Sequence, residues 1–353
     1  MRPRLAGWTA IAGGATLLAA LIFLAIQPGA AQGGPVRVAF QIVTGSISGT
    51  YFPVGQMIAG LVSHPPGIGR CEAAGVCGPP GLIVSARASE GSIANVFAVN
   101  SRRADSGLAQ ADVVALAVAG AGPFKAAGAT RDLRVIANLY PESVHLVAAA
   151  KAGIASVEGL RGKRVSLSTE SSGTIATARA VLSAYRLTEK RIKPNYDTAD
   201  RAARLLEKGE LDAFFFVGGA PVRLIEDLIA RGLATLVPID GKGRERLLAD
   251  QNFLVADTIL AGAYPGLGGV DTVSVGALWI VNARASDDLV YAIAKALYNP
   301  ANRVLLDAAH AKGGLIRIAR ATEGVSAPFH PGATKFYREV GALPPLPVPV
   351  PKP

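Results

Sequence analysis

The stretch Val165-Ser-Leu-Ser-Thr-Glu-Ser-Ser-Gly-Thr-Ile175 decides how the rest of this sequence is interpreted. Val165 and Leu167 alternate with polar residues, as they do in a half-buried strand. Hydroxyl side chains and Gly173 follow, and apolar residues then recur at helical spacing from Ile175 onward. The first backbone N–H groups of such a helix have no intrahelical partner, and its dipole favours an anion there. The stretch therefore predicts a strand, a turn and a helix whose start can bind a negative charge.

Similar turns of small residues follow other predicted strands. Residues 36–43 form a predicted strand, and the turn at residues 44–53 leads from it into a helix. Residues 213–217 are apolar throughout, as in a buried parallel sheet, and the turn at residues 218–221 follows them. Strands alternate with helices along the chain, which predicts an α/β fold. Ligands of such sheets bind beyond the carboxyl ends of the strands, where these turns lie.

Two further segments concern the centre of the predicted sheet. Residues 133–141 and 144–150 are predicted to form an antiparallel pair of strands joined by Pro-Glu-Ser. His145 alternates with apolar neighbours, so we interpret it as a strand residue with a hydrogen-bond partner rather than a catalyst. Gln110 ends a short apolar strand, where its side chain either satisfies backbone groups or meets a ligand. The sequence leaves both alternatives for Gln110 open.

Length and composition favour a folded protein of two packed lobes. The chain has 353 residues, of which 50% are hydrophobic, and this composition is typical of an ordered domain. The formal net charge is +10, but the basic residues are scattered and form no run interleaved with aromatic residues. This pattern argues against nucleic acid as a partner.

The N-terminus has the order of residues found in secretory signals. Arg2 and Arg4 precede an apolar stretch at residues 9–26, and small residues follow it. Residues 1–31 are therefore a predicted signal peptide, cleaved after Ala31, with an uncleaved membrane anchor as the alternative. Both place the rest of the chain outside the cytoplasm, in the periplasm. The Pro-rich tail at residues 346–353 is predicted to be extended or disordered.

The two cysteines of the chain, Cys71 and Cys77, lie in a loop rich in proline and glycine. In an exported protein, such a pair predicts a local disulfide. A zinc site normally needs four ligands, and His64 is the one histidine nearby, so no metal or other cofactor is expected.

The sequence does not favour an enzyme. A serine hydrolase needs a nucleophile and a base, and the chain has no Gly-x-Ser-x-Gly motif. None of the four histidines lies in a strand-end turn of the kind that forms the predicted site. We therefore predict no catalytic residues.

Taken in order, a set of motifs resembles the TAXI family of solute receptors. These are extracytoplasmic substrate-binding proteins of tripartite ATP-independent periplasmic (TRAP) transporters. The resemblance covers about residues 35–330. The motifs are Phe40-Gln-Ile-Val-Thr-Gly-Ser-Ile-Ser-Gly-Thr-Tyr-Phe-Pro-Val-Gly55, Glu90-Gly-Ser-Ile-Ala-Asn95, Ala109-Gln-Ala-Asp112, Leu139-Tyr-Pro-Glu-Ser-Val-His-Leu146, Leu160-Arg-Gly-Lys-Arg-Val-Ser166, Ser172-Gly-Thr174, Gly209-Glu-Leu-Asp-Ala-Phe-Phe215, Val237-Pro-Ile-Asp240 and Ala261-Gly-Ala-Tyr-Pro-Gly266.

The resemblance implies a two-lobe periplasmic-binding-protein fold, similar to type II, that closes on a solute by hinge motion. One lobe would combine residues 35–150 with residues 271–345, and residues 151–270 would form the other. The implied ligand is a small carboxylate, either a glutamate-like amino acid or a dicarboxylate such as 2-oxoglutarate. The implied partners are the membrane permease subunits of the transporter, with the receptor itself a monomer. The alternative is a periplasmic receptor that serves a sensor or signalling partner.

The predicted ligand-binding residues lie in the turns and at the strand ends. They are Thr44, Ser46, Ser48, Gly49, Thr50, Tyr51, Ser92, Gln110, Ser171, Ser172, Gly173, Thr174, Gly218, Gly219 and Tyr264. The first motif has Ser46 and Ser48 where relatives often show more Gly and Thr, and the turn at 218–221 lacks a Thr that relatives often carry. No arginine lies in these turns, and Arg179 on the following helix is the nearest candidate. Binding of an anion would therefore depend on helix ends and hydroxyl groups.

Overall fold

The computed structural model describes residues 37–344, in which ten strands and ten α-helices alternate. The predicted signal peptide and Pro-rich tail lie outside the described residues. The strands are β1 Val38–Val43, β2 Leu82–Arg87, β3 Ser106–Gln110, β4 Leu133–Ala149, β5 Arg164–Ser166, β6 Lys193–Asn195, β7 Ala213–Gly218, β8 Ala234–Val237, β9 Val255–Ile259 and β10 Val270–Asn282. The helices are α1 Tyr51–Val62, α2 Ser92–Asn100, α3 Ala111–Ala119, α4 Gly173–Ala184, α5 Ala199–Glu207, α6 Arg223–Ala230, α7 Gly241–Asp250, α8 Asp287–Leu297, α9 Arg303–Ala309 and α10 Pro331–Glu339.

All ten strands join one mixed sheet, whose main path runs β2-β1-β3-β10-β4-β7-β5-β6. β1 lies parallel to β2 and β3 near one end of this path, and β5 lies parallel to β6 and β7 near the other. The two long strands β4 and β10 run antiparallel between these two sets. β8 adds to β4, and β9 adds to β10. The predicted α/β fold class is confirmed, and the division into two lobes at the predicted boundaries stays a prediction.

The opening stretch folds as its pattern predicts. Val165 lies in β5 and is fully buried, and Leu167 is buried just beyond it. The side chain of Ser172 accepts a hydrogen bond from the backbone N–H of Ile175 at 3.4 Å, which caps the start of α4. The hydroxyl groups of the turn therefore begin the helix at the predicted place.

The predicted hairpin within residues 133–150 is wrong, because β4 is a single strand of 17 residues. The segment Pro-Glu-Ser does not turn, since β10 provides extended partners for it. Pro141 lies opposite Gly276, and Glu142 lies opposite Val275. A register shift in the ladder between Ala277 and Leu278 interrupts the regular pairing beside the proline. Glu142, which the sequence places in a turn, thus becomes a buried residue of a central strand.

Helices cover the sheet and bury its apolar residues. Trp279 of β10 is fully buried, and its Nε1–H donates to the hydroxyl of Ser106 at 3.1 Å. Phe214 and Phe215 of β7 are buried on opposite faces of the sheet, in two different apolar clusters. None of the helices described in residues 37–344 is long and apolar enough to cross a membrane.

The predicted disulfide is confirmed, since Cys71 and Cys77 are bonded and both are buried. The loop that they close is tied to its surroundings by further contacts. Arg70 donates to the carbonyl groups of Gly60 and Leu61 at the end of α1. Arg70 therefore holds the start of the loop against this end of α1, and the disulfide closes the loop.

We expect the double variant Cys71→Ser, Cys77→Ser to lose about 2 kcal/mol of unfolding free energy, since the closed loop is short. Urea denaturation measures this loss. Reduced wild-type protein is the matched control and should behave like the variant. Equal stability of the variant and the oxidised wild type would contradict the prediction.

Candidate functional site

Four helices begin around one cavity, and each follows a strand of one of the parallel sets. α1 follows β1, α2 follows β2, α4 follows β5, and α5 follows β6. The cavity has a volume of about 140 Å³. This is close to the volume of a cavity of about 150 Å³ that holds one benzene molecule in another protein. The site therefore fits a small molecule at the carboxyl ends of the strands.

Nine of the fifteen predicted residues line this cavity. They are Ser46, Gly49, Thr50, Tyr51, Ser92, Gln110, Ser172, Gly173 and Thr174. They come from three separate turns and from the end of β3. The sequence thus grouped residues that lie far apart in the chain and that the fold brings together.

Five of the other predicted residues lie next to the cavity but not in its lining. The hydroxyl of Thr44 donates to the carbonyl of Arg87 at 2.8 Å, which joins the ends of β1 and β2. The hydroxyl of Ser48 lies 3.1 Å from that of Ser46. Ser171, Gly218 and Gly219 flank residues that do line the cavity.

Tyr264 is placed elsewhere and neither lines nor covers the cavity. Its side chain is 1% exposed and packs in an apolar cluster with Val147 and Phe214. Its hydroxyl accepts a hydrogen bond from the backbone N–H of Val222 at 2.9 Å and lies 2.8 Å from Nε2 of His145. His145 therefore has the hydrogen-bond partner that its position in a strand predicts.

The helix starts leave backbone donors free at the cavity. Several lining residues at helix starts have N–H groups that donate to no other group of residues 37–344, among them Thr50, Tyr51, Ser92, Gly173 and Thr174. These donors belong to α1, α2 and α4 or to the residues that precede them. Backbone N–H groups at helix starts, with the helix dipoles behind them, attract anions.

The turns before α2 and α4 touch directly. The N–H of Ala94 donates to the carbonyl of Ser171 at 3.0 Å. A Cβ atom at Gly173 would lie 1.9 Å from Oε1 of Gln110 and 2.7 Å from Oγ of Ser92. Glycine at position 173 is therefore required by the close approach of these turns.

A second contact joins the turn before α1 to the turn after β7. The Thr50 hydroxyl accepts from the N–H of Gly219 at 3.1 Å and lies 3.3 Å from the Gly219 carbonyl, to which it can donate. Residues 37–150 and residues 151–270 are thus joined at two places beside the cavity.

Gln110 lines the cavity, and its side-chain amide is bonded to other side chains rather than to backbone groups. Its amide group donates to the hydroxyl of Thr177 at 3.0 Å, while the residue lines the cavity. The Thr177 hydroxyl in turn donates to Asp112 at 3.0 Å. The partners of Gln110 are therefore side chains of α3 and α4, and they fix its orientation at the cavity wall.

Several lining residues are not among the predicted ones. Eight of them lie near predicted residues in the same turns or strand ends: Gly45, Ser89, Glu90, Gly91, Ser168, Thr169, Phe216 and Val217. Thr198 and Ala199 lie at the start of α5, where no site residue was predicted. Glu142 is different, since it was assigned to a hairpin turn that does not exist. The alternation of Tyr140, Glu142 and Val144 along one strand was the signal that could have placed it.

Glu142 is the buried acid of the cavity. Its side chain is 1% exposed, and its Oε2 accepts a hydrogen bond from the Tyr51 hydroxyl at 2.6 Å. The pKa of Glu142 is raised to about 8, mainly by burial; the hydrogen bond from Tyr51 and the charge of Lys312 lower it, and the nearby Asp112 raises it. Burial likewise raises the pKa of Asp112 to about 6.

No Lys, Arg or His side chain is among the residues that line the cavity in the described chain. Arg179, the nearest arginine in sequence, forms ion pairs with Glu170 and Glu189 on the surface. Between residues 37 and 344, no group of three or more His, Cys, Asp or Glu side chains could hold a metal ion. The lining groups that can attract an anion are therefore backbone N–H groups at helix starts and hydroxyl groups.

The fold is that of an α/β protein with a small cavity at the carboxyl ends of its parallel strands. The chain belongs to the NMT1-like family, which matches residues 42–341.

Solved structures show a distant likeness. The alkanesulfonate-binding protein SsuA from Xanthomonas axonopodis pv. citri is 18% identical, with coverage of 88% of this chain and 81% of SsuA and a TM-score of 0.42. MatC from Rhodopseudomonas palustris, solved with bound malate, is 14% identical, with coverage of 78% and 90% and a TM-score of 0.49. These values are low, and the family assignment rests on the match over residues 42–341.

We expect Gly173→Ala to lower the free energy of unfolding by about 1–3 kcal/mol, because the added methyl group overlaps Gln110 and Ser92. Thermal or urea denaturation measures the change. Gly60→Ala is the control, since Gly60 is exposed on α1 and has nothing within 4 Å of an added Cβ atom. The control should be neutral or stabilising. Unchanged stability of Gly173→Ala would show that the contact of Gly173 with Gln110 and Ser92 does not require glycine.

The raised pKa of Glu142 predicts a pH-dependent stability difference. The folded chain holds this proton more tightly than the unfolded chain, so the carboxyl group costs stability as pH rises from about 4.5 to about 8. Glu142→Gln removes this cost. The melting temperature of the variant, relative to wild type, should therefore rise between pH 5 and pH 8. A constant difference across this range would contradict the burial of an ionisable Glu142.

Proposed function

We propose that this chain is an extracytoplasmic solute receptor that binds a small carboxylate in the cavity at the starts of α1, α2 and α4. The observation that carries the proposal is the set of free backbone N–H groups at these three starts. A carboxylate placed among them would accept several hydrogen bonds at once. The hydroxyl groups of Ser46 and Ser92 add further polar groups to the lining.

Closure around the ligand is the second part of the proposal. The hydrogen bonds from Ala94 to Ser171 and from Gly219 to Thr50 join the two proposed lobes beside the cavity. In our proposal these contacts form when the lobes close and break when they open, with β4 and β10 connecting the lobes. A bound solute favours closure only if it binds the closed form more tightly than the open form.

We propose binding rather than catalysis. The lining consists mainly of glycine and hydroxyl residues, and no histidine or cysteine is part of it in residues 37–344. A serine there would have no histidine base nearby to activate it. Hydrogen-bond donors without a nucleophile and base suit a site that holds a molecule unchanged.

We further propose that the receptor belongs to the TAXI family and delivers its solute to the permease subunits of a TRAP-type secondary transporter. The ordered motifs between residues 35 and 330 support this, together with the predicted signal peptide, which implies a periplasmic location. The alternative is a receptor that serves a sensor. Uptake of labelled solute into vesicles that contain the permease would distinguish them. A transporter receptor should be required for uptake driven by an ion gradient without ATP, and a sensor's receptor should not be.

Isothermal titration calorimetry tests the proposed ligand class. The protein is unfolded, dialysed free of any bound solute and refolded before titration with small carboxylic acids and with neutral sugars. We expect a carboxylate to bind and to raise the melting temperature, by more the tighter it binds, because it binds only the folded form. Binding of sugars in preference to acids would overturn the proposal.

A further inference from the structure

Glu142 is a charged group that the proposed function leaves without a role. It lies on β4 and lines the cavity. An acidic side chain there does not suit a site that binds only anions. Tyr51 binds one carboxylate oxygen, Oε2, at 2.6 Å. The other oxygen, Oε1, has no hydrogen-bond partner in the described chain. This oxygen belongs to a side chain that is 1% exposed and that lines the cavity.

Glu142 forms no ion pair within the described chain, and Lys312 is the cation that acts on its pKa from nearby. Lys312 is close enough to influence its pKa but makes no ion pair with it among the described residues. The pKa of Lys312 is itself lowered by burial. An ionised carboxylate that is buried without an ion-pair partner is costly, so the empty site favours the neutral acid.

The cavity therefore has two chemically different sides. Free N–H groups of Thr50, Gly173 and Thr174 attract a negative group. Glu142 and the more exposed Glu90 attract a positive group. A dicarboxylate would bring a second negative charge towards Glu142. A molecule with one carboxylate and one ammonium group fits both sides, because an ammonium group is a compact donor of three hydrogen bonds.

We propose that Glu142 binds the ammonium group of the ligand, so that the receptor selects a small amino acid over the corresponding dicarboxylate or oxo acid. This inference rests on the proposed function, since the ligand's carboxylate occupies the helix starts. Tyr51 is a positioning residue in this arrangement, because its hydroxyl holds Oε2 and leaves Oε1 for the ligand. The volume of about 140 Å³ limits the ligand to a compact side chain.

Binding changes the charge of Glu142 in a defined way. The neutral acid of the empty site loses its proton to solvent when the ammonium group arrives, and an ion pair forms. Asp112, Lys312, Tyr51 and Tyr140 are the other titratable groups that face Glu142. A variant that changes only Glu142 leaves these four groups in place, so it isolates the proton that Glu142 releases.

Matched pairs of acids test the inference by calorimetry on the refolded, solute-free protein. Each pair differs by one amino group: L-glutamate and glutarate, L-aspartate and succinate, L-alanine and propionate. We expect the amino acid of the best pair to bind about 100-fold more tightly than its partner. Glu142→Gln should remove most of this difference, whereas Glu158→Gln, an exposed acid away from the cavity, should retain it.

Proton release provides a readout that a merely structural role of Glu142 would not change. Titrations at pH 7 in two buffers of different ionisation enthalpy give the number of protons released on binding. We expect wild type to release a proton with the amino acid, and Glu142→Gln to release none. Melting curves confirm that the variant is folded.

Each outcome has a separate meaning. If both members of each pair bind equally, Glu142 does not select the amino acid. The same conclusion follows if the wild type takes up a proton on binding and Glu142→Gln binds the amino acid as tightly as the wild type does. Either result would leave the proposal of a carboxylate receptor in place. Binding of no acid, with or without an amino group, would overturn the proposed function itself.

Discussion

The antiparallel pairing of β4 with β10 is the interaction on which the rest of the structure depends. These two long strands lie between the parallel set around β1 and the parallel set around β5. Their ladder keeps Pro141 and Glu142 extended where the sequence suggests a turn. The pairing thus connects the two halves of the sheet and places an acidic side chain at the cavity where helices from both halves begin.

The cavity combines two opposing electrostatic effects. Helix starts offer backbone donors that favour a negative group. Burial of Glu142 disfavours its ionised form, so the empty site keeps this group neutral at pH values where an exposed glutamate is charged. A ligand that carries both signs of charge satisfies the donors and supplies the ion-pair partner that Glu142 does not have among the described residues. Ligand selection is then a consequence of where a single carboxyl group is buried.

Local patterns were enough to predict the elements around the site. The turn before α4 has a capping hydroxyl at Ser172 and a glycine at position 173, and both functions depend on neighbours within a few residues. Periodicity of apolar residues gave the α/β class for the same reason. The hairpin within residues 133–150 was wrong because a proline in a strand is compatible with either a turn or an extended chain. Only the partner strand β10, more than a hundred residues away, decides between them.

The sequence by itself determined which turns begin helices, which residues carry free donors, and that the two cysteines pair, because each depends on short-range geometry. The tertiary structure alone decided which of those turns meet. It brought Gly173 against Gln110 and Thr50 against Gly219, and it packed Tyr264 away from the cavity. It also turned Glu142 from a presumed turn residue into a buried acid at the cavity. These outcomes depend on the pairing of distant strands, and no local pattern specifies that pairing.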